Sequence, residues 1–247
     1  MRVALFADVH ANLEALTTCL AHAQEQGAGA YAFIGDLIGY GADPGPVIDV
    51  VAAHAAKGAV VVRGNHDDAV LEAKGGMSDS AARAVLWTRE RLDPRQLAFL
   101  EALPLVVRRE DVLFVHASAE APADWTYVSD PLRAARSLAA AEGASYVFSG
   151  HVHEPALYFA GAAHRPRAFH PMPGVAIPVS PRYRWLAIVG SAGQPRDGNT
   201  AACYALFDSE KATLTYHRVA YDWTTAAAKV RAAGLPEWLA RRLERGE

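Results

Sequence analysis

The chain has 247 residues, of which 51% are hydrophobic and 21% are charged, and its formal net charge is −3 at pH 7. This composition is typical of a globular protein and excludes a chain that is disordered throughout. The near balance of charges provides no field over the whole molecule that would hold nucleic acid or an anionic membrane. The longest stretch without Asp, Glu, Lys or Arg, 168–181, is interrupted by prolines, which excludes a membrane-spanning helix.

Cysteine content and chain length predict a single domain in the cytoplasm. The only cysteines are Cys19 and Cys203, which predicts no disulfide scaffold and favours a reducing compartment. The apolar start at 3–7 meets Asp8 before a signal peptide could form. We expect one domain over 1–247, with a Pro-rich loop insertion near 161–184.

Short apolar runs that end in turn residues predict strands along the whole chain. These strands cover 3–7, 30–34, 59–62, 112–115, 146–148, 184–189, 202–207 and 213–219. Apolar residues at helical spacing predict helices over 12–26, 44–57, 80–91, 94–102, 131–141 and 223–233, and the charged 241–247 is interpreted as a frayed helix end. Strands alternate with helices in the N-terminal part and dominate the C-terminal part, which predicts an α/β layered fold with two sheets.

Chemically active side chains follow five of these strands directly. They are Asp8 with His10, Asp36, Asn65, His116, and His151 with His153. Ligands bind at the carboxyl ends of strands in α/β sheets, so we expect these side chains to meet at one edge. Carboxylate oxygens suit hard divalent ions and imidazole suits Zn, Fe, Ni and Mn. Since one carboxylate can bridge two ions, this set predicts a two-metal site.

The five blocks resemble the signature of the calcineurin-like metallophosphoesterase superfamily. They read Asp8-Val9-His10, Gly35-Asp36, Gly64-Asn65-His66-Asp67, His116 and Gly150-His151-Val152-His153. The resemblance implies a four-layer αββα sandwich with two mixed sheets and a two-metal site at the carboxyl ends of the strands. The runs 35–41 and 190–198 are similar to compact bacterial members, which include phosphodiesterases and dinucleoside polyphosphate hydrolases.

The resemblance also implies a role for each residue of the blocks. Asp8, His10 and His153 would hold one divalent ion. Asn65, His116 and His151 would hold the other ion, and Asp36 would bridge the two. The metal could be Mn, Fe, Zn, Ni or Co. A hydroxide bridging the ions would attack phosphorus, and His66 would be the general acid that protonates the leaving group. Asp67 would either orient His66 or cap the following helix.

Basic and aromatic residues outside the blocks are candidates for binding the substrate. Tyr40, Arg63 and Arg196 are the first candidates because of their position in the sequence beside the blocks and in the 190–198 run. Further arginines that could bind phosphate stand in the late loops, at Arg165, Arg167, Arg182 and Arg184, and the histidines there are His164 and His170. The aromatic residues Trp125, Tyr127, Phe169 and Tyr183 could stack on a base, although packing is favoured for Trp125 and Tyr127.

The favoured function is hydrolysis of small phosphodiester or phosphomonoester substrates of nucleotide type. The alternatives are a dinucleoside polyphosphate hydrolase, a protein phosphatase and a catalytically silent metal-binding scaffold. The segment after Asp36 lacks the arginine that protein phosphatases of the superfamily carry there, which argues against that alternative. All ligand types and His66 are present, which argues against a scaffold. The net acidity and the lack of a basic run argue against nucleic acid as a partner.

Overall fold

The fold is described by a computed structural model that covers residues 1–71, 79–161 and 166–247. Strands lie at Arg2–Phe6 (β1), Ala30–Ile34 (β2), Val60–Val62 (β3), Val106–Arg109 (β4), Val112–Val115 (β5), Tyr146–Ser149 (β6), Ala156–Ala160 (β7), Arg167–Phe169 (β8), Ala176–Pro178 (β9), Arg184–Ile188 (β10), Ala202–Asp208 (β11) and Thr213–Val219 (β12). The helices are Leu13–Glu25 (α1), Pro44–Ala55 (α2), Asn65–Leu71 (α3), Asp79–Arg89 (α4), Pro94–Glu101 (α5), Pro131–Ala140 (α6), Trp223–Ala232 (α7) and Glu237–Arg245 (α8). A short 3-10 helix covers Pro122–Asp124.

The described strands form two mixed sheets of six strands each. The first sheet has the order β3-β2-β1-β11-β12-β9 and the second has the order β4-β5-β6-β10-β7-β8. In the first sheet β1, β2 and β3 are parallel, and in the second β5, β6 and β10 are parallel. Because parallel strands end at the same edge, the residues that follow β1, β2 and β3 lie together, as do those that follow β5 and β6.

The two sheets pack face to face, and helices cover their outer faces. Alternation along β1 shows this directly, since Leu5 lies in the cluster between the sheets while Ala4 and Phe6 lie in the cluster under α1 and α2. On the second sheet, α6 packs through Ala134 and Leu138 against the outer face. The predicted αββα architecture with two mixed sheets is therefore confirmed.

Four of the described strands were missed by the sequence patterns. These strands are β4, β7, β8 and β9, and two of them, β8 and β9, are the edge strands in the predicted insertion near 161–184. All three residues of β8 are exposed, so they carry no apolar alternation that a sequence pattern could use. Residues 162–165 of the insertion lie outside the described part of the chain.

The end of the chain is an ordered helix, which corrects the expectation of a frayed end at 241–247. Helix α8 begins at Glu237, and its residues Leu239, Ala240 and Leu243 are buried against α7. Leu243 lies four residues after Leu239 and three after Ala240, so the three side chains form one apolar stripe. In the part of the chain that the structure describes, no helix combines the length and the apolar character needed to cross a membrane.

Candidate metal centre

Five of the seven predicted metal ligands stand at strand ends in an unusual backbone conformation. The φ angles of Asp8, His10, Asp36, His151 and His153 are 53°, 49°, 51°, 68° and 66°. Non-glycine residues rarely adopt this left-handed region, and such strain clusters at functional sites, where the surrounding structure enforces it. The sharp turns after β1, β2 and β6 therefore hold these side chains in fixed directions.

Two glycines allow the strand ends to approach one another closely. Gly35 has a φ of 73°, and a Cβ atom there would come within 2.5 Å of Nδ1 of His116. A Cβ atom at Gly64 would collide with the backbone nitrogen and carboxylate of Asp36. Both positions therefore require glycine for steric reasons, in addition to any preference of the turn.

One group of possible metal ligands joins the ends of β1, β2 and β6. Donor atoms of Asp8, His10, Asp36 and His153 all lie within 4.8 Å of one another, and all four side chains are buried. The Nε2 atom of His153 is 3.5 Å from Oδ1 of Asp8, and Nε2 of His10 is 3.7 Å from Oδ2 of Asp36. The structure thus brings together the three residues predicted for one ion and the predicted bridging carboxylate.

The two histidines of this group fit a cation between them. Nδ1 of His10 contacts the carbonyl oxygen of Ile38 at 3.2 Å, and Nδ1 of His153 contacts that of Gln194 at 2.7 Å. Because a carbonyl only accepts, each Nδ1 carries the proton of a neutral ring. The two Nε2 lone pairs then face each other across 3.1 Å, an arrangement that a positive ion between them would stabilise.

A second group of possible ligands shares Asp36 with the first. Asp36, His116 and His151 again place donor atoms within 4.8 Å of one another. Nε2 of His116 lies 3.4 Å from Oδ2 of Asp36 and 3.2 Å from Oδ1 of Asn65. His151 has a buried Nε2 atom without a hydrogen-bond partner among the described residues. An unsatisfied buried nitrogen is costly, and a bound metal ion would satisfy it.

The electrostatics of the metal-free chain leave His10, His153 and Asp36 in the protonation state of metal ligands. Burial holds the pKa values of His10 and His153 well below the usual range. The charge of Asp36 opposes this at His10, whereas the charge of His10 adds to it at His153. Burial opposes ionisation of Asp36, but the charges of His116 and His66 and a hydrogen bond from His116 hold its pKa well below the ordinary value. Neutral imidazoles and an ionised carboxylate are the forms that bind metal ions.

His66 lies beside the first group but differs from the ligand histidines. Its ring centroid is 5.0 Å from that of His10 and 4.3 Å from that of Tyr40. Its Nδ1 atom is buried and has no hydrogen-bond partner in the described residues, so no backbone carbonyl fixes its tautomer there. The rings of His10 and His153 are locked by carbonyl contacts, and that of His66 is not.

Asp67 has neither of the two roles that the sequence suggested, which were to orient His66 or to cap the following helix. Its carboxylate accepts hydrogen bonds from the backbone N–H groups of Leu37, Ile38 and Gly64, at 2.9 to 3.3 Å. It is the third residue of α3 rather than the residue before the helix, so it is not the N-cap. Since Nδ1 of His66 has no partner among the described residues, no hydrogen bond from Asp67 orients it there. Asp67 anchors the loop after β2 to the start of α3.

The three candidate substrate-binding residues have different surroundings. Tyr40 packs against the rings of His10 and His66, with centroid distances of 4.6 and 4.3 Å. The guanidinium of Arg196 lies 5.9 Å from the Tyr40 ring, and its charge favours the ionised form of Asp8. Arg63, by contrast, is paired with Asp68 at 3.5 Å.

The prediction that late-loop arginines bind phosphate is wrong for Arg184. Arg184 donates hydrogen bonds to the carbonyl groups of Leu138, Ala141 and Ala144 near the end of α6. It stands at the start of β10, and because β10 is parallel to β6, it lies at the sheet edge opposite His151. Arg167, Arg182 and His170 are exposed, and Arg165 and His164 lie outside the described residues.

Residues that the sequence analysis missed or undervalued complete the surroundings of the centre. The Tyr127 ring stacks on His151 with a centroid distance of 3.9 Å and is 45% exposed, so it is not a packing residue of the core. The Trp125 ring is 6.0 Å from that of His116. Helix α8 contributes Trp238, whose ring centroid is 5.9 Å from that of Tyr40. The apolar stripe of α8 was the signal that could have located this helix.

Comparison with known proteins assigns the family. Residues 1–212 match the Calcineurin-like phosphoesterase superfamily domain. The chain belongs to this superfamily. Its membership indicates a hydrolase that acts on phosphate esters, and the two groups of buried Asp and His residues are candidate ligands for the divalent metals of the superfamily.

Similar proteins extend over nearly the whole chain. The uncharacterized protein MJ0912 of Methanocaldococcus jannaschii is 31% identical over 98% of this chain and 96% of its own length. The crystal structure of a metallophosphoesterase from Sphaerobacter thermophilus is 34% identical, covers 100% of this chain and 99% of its own, and has a TM-score of 0.87. The hypothetical protein PH1004 from Pyrococcus horikoshii, at 20% identity, covers 100% of this chain and 98% of its own with a TM-score of 0.79, which shows the same fold.

Proposed function

We propose that this chain hydrolyses small phosphodiester or phosphomonoester substrates of nucleotide type, with two divalent metal ions as cofactors. The observation that carries the proposal is that Asp36 belongs to both groups of buried donor atoms. A carboxylate shared between two ligand groups suits a pair of ions that acts on one phosphoryl group. When bound, the ions would supply water activated near neutral pH and positive charge against the phosphoryl oxygens.

The residues around the ions would have distinct tasks. Asp8, His10 and His153 would hold one ion, and Asn65, His116 and His151 the other. The carbonyl contacts at Nδ1 of His10, His116 and His153 orient these rings, and Nε2 of each ring would hold an ion.

His66 is proposed as the general acid that donates a proton to the departing oxygen. Its position beside His10 and its unpartnered Nδ1 support this role, since a ring with an unfixed tautomer can exchange a proton with the substrate. Asp67 is not assigned to the reaction because its carboxylate is occupied by backbone amides.

We also propose that residues 1–247 form one domain that works in the cytoplasm. Packing of α7 and α8 against Tyr40 and Ala42 supports a single domain. The cysteines Cys19 and Cys203 are both free and buried, as is common in a reducing compartment.

The test compares three substrates before and after metal is restored. The protein is stripped of metal, Mn²⁺ is added, and rates are measured on p-nitrophenyl phosphate, bis-p-nitrophenyl phosphate and diadenosine tetraphosphate. We expect turnover that depends on Mn²⁺, and the preferred substrate separates monoester, diester and dinucleotide hydrolysis. Two bound ions per chain without turnover of any substrate would contradict the proposal and favour the scaffold alternative.

A further inference from the structure

Two arginines from distant parts of the chain converge on one buried glutamine. Oε1 of Gln194 accepts a hydrogen bond from Arg196 at 3.3 Å and another from Arg242 at 3.4 Å. Gln194 is 1% exposed, so its side chain cannot move away from this position without opening the structure. Arg242 comes from α8, and its guanidinium also lies 4.5 Å from the Trp238 ring. We call Arg196 and Arg242 the arginine pair.

Among the described residues, neither guanidinium of the arginine pair forms an ion pair, although the charges of Asp8 and Glu247 act on Arg196 and Arg242. In the described residues, no carboxylate lies within 4.0 Å of either guanidinium, whereas Arg231 is paired with both Glu237 and Glu244. Burial, and next the charge of Arg196, lowers the pKa of Arg242. Arg196 is half-buried, and its buried Nε atom lacks a hydrogen-bond partner among the described residues. Two adjacent cations with unused N–H groups are suited to bind an anion.

The arginine pair has a fixed position relative to the metal centre. The backbone carbonyl of Gln194 contacts Nδ1 of His153 at 2.7 Å, so one residue positions both a predicted metal ligand and the pair. The end of α8 is attached to the same loop, because the N–H of Gly198 donates to the carbonyl of Gly246 at 2.9 Å. The positive charge of Arg196 contributes to lowering the pKa values of His10, His153 and Arg242. The charge of Arg242 likewise favours a lower pKa of Tyr40, against the effect of burial. The Arg196 guanidinium lies 5.9 Å from the Tyr40 ring, whose centroid is 4.6 Å from that of His10, so Tyr40 connects the arginine pair to the metal centre.

We propose that the arginine pair binds a second phosphoryl group of the substrate, next to the one that reacts at the metal centre. This inference rests on the proposed function and narrows its substrate class to phosphate esters or anhydrides with at least two phosphoryl groups. Guanidinium groups bind phosphate oxygens through paired N–H groups. A monoester has a single phosphoryl group, which would be bound at the metal centre, so the N–H groups of Arg242 would have no phosphate to bind. Gln194 and Trp238 are positioning residues, since they hold the two guanidinium groups in place.

The first experiment measures binding without turnover. Metal-free protein is titrated with inorganic tripolyphosphate and with inorganic phosphate by calorimetry. We expect tripolyphosphate to bind more tightly, and Arg242→Gln and Arg196→Gln to weaken its binding about 10-fold or more. Arg241→Gln is the matched control, because Arg241 neighbours Arg242 on α8 but is 60% exposed and contacts Glu237. Equal binding by the wild type and Arg242→Gln, or an equal loss in Arg241→Gln, would overturn the inference.

The second experiment measures selectivity in the Mn²⁺-loaded enzyme. In Arg242→Gln, the ratio of kcat/KM for diadenosine tetraphosphate to kcat/KM for p-nitrophenyl phosphate should fall about 10-fold, mainly through an increase in KM for the dinucleotide. In Arg242→Lys, which keeps the positive charge, this ratio should fall less. An equal loss for both substrates would overturn the inference, because it would indicate a merely structural role for Arg242. Absence of turnover in the wild type would contradict the proposed function, and the binding experiment would still decide for or against the arginine pair.

Discussion

The metal centre and the arginine pair beside it are built in different ways. The predicted ligands follow strand ends, many with positive φ angles, and the rings of His10, His116 and His153 each contact a backbone carbonyl. Arg196 and Arg242 instead reach their positions through long side chains that meet at Gln194. A preorganised centre suits the stabilisation of charge, whereas guanidinium groups suit recognition. Changes in the centre should therefore alter metal binding and rate, and changes in the pair should alter substrate choice.

The strongest test of this comparison is Asp36→Asn. Asp36 belongs to both ligand groups, so the loss of its charge should weaken both ions together. We expect activity to fall about 10³-fold or more and the metal content to drop below two ions per chain. Elemental mass spectrometry measures the metal content per chain, and kinetics on p-nitrophenyl phosphate measure the activity. Full metal content with full activity would show that the centre does not depend on a shared carboxylate.

His66→Ala separates proton transfer from metal binding. General acid catalysis contributes about 10²- to 10⁴-fold, so turnover of substrates with poor leaving groups should fall by that factor. Turnover of substrates with good leaving groups, such as p-nitrophenyl phosphate, should fall by a smaller factor. The metal content should be unchanged, because none of the described donor groups requires His66. A variant that loses its ions as well as its activity would contradict the assignment of His66 as the acid.

Gly35→Ala tests whether the strand ends of the centre are constrained as the geometry indicates. Both Gly35 and Gly174 have positive φ, at 73° and 79°, but only at Gly35 does an added Cβ meet a side chain, that of His116. Gly174→Ala is thus the control for backbone strain alone, with an expected cost of about 1 kcal/mol. Gly35→Ala should reduce the free energy of unfolding by about 1–3 kcal/mol more.

Chemical denaturation of the metal-free variants measures this difference, and metal titration reports on His116. Equal losses of stability in the two variants would mean that the loop after β2 can move away from His116. The contrast between a centre built from rigid strand ends and a pair built from long side chains would then not hold at this strand end.

The smallest expected effect is the proton release that accompanies metal binding. Burial alone would lower the pKa of His116, but the charge and hydrogen bond of Asp36 raise it to about 9. Burial, with the charge of Asp36, raises the pKa of Asp8 to about 7. Both groups must lose their protons to bind an ion, so metal affinity should increase as the pH rises from about 6 to about 9.

Titration calorimetry at pH 7 in two buffers with different protonation enthalpies counts the protons released. His116 is mostly protonated and Asp8 partly protonated at this pH, so about one to two protons should leave per chain. Binding without any proton release would show that the two groups are already deprotonated in the metal-free protein. A substitution in the arginine pair, Arg242→Gln, should leave the number of protons unchanged, since Arg242 contacts neither group.

The strand ends show how far sequence reasoning extends. The strand predictions at 30–34, 112–115 and 213–219 coincide with β2, β5 and β12, because β2 and β5 carry apolar runs and β12 largely alternates buried with partly exposed residues. Short or exposed strands such as β8 have no such pattern and were missed. The late-loop arginines could not be sorted from sequence either. Arg184 contacts carbonyl groups at the end of α6, whereas Arg196 lies beside the metal centre.

The amino-acid sequence by itself determined the family, the layered fold and the order in which Asp, Asn and His residues follow the strands. These features depend on short-range patterns: apolar runs, turns and residue types at fixed spacing. Only the tertiary structure decided that Asp67 contacts backbone amides, that Tyr127 stacks on His151, and that Gln194 joins Arg196 to Arg242. The physical reason is that these contacts join segments far apart in the chain; the contact of Arg242 with Gln194, for example, depends on the packing of α8 on α7.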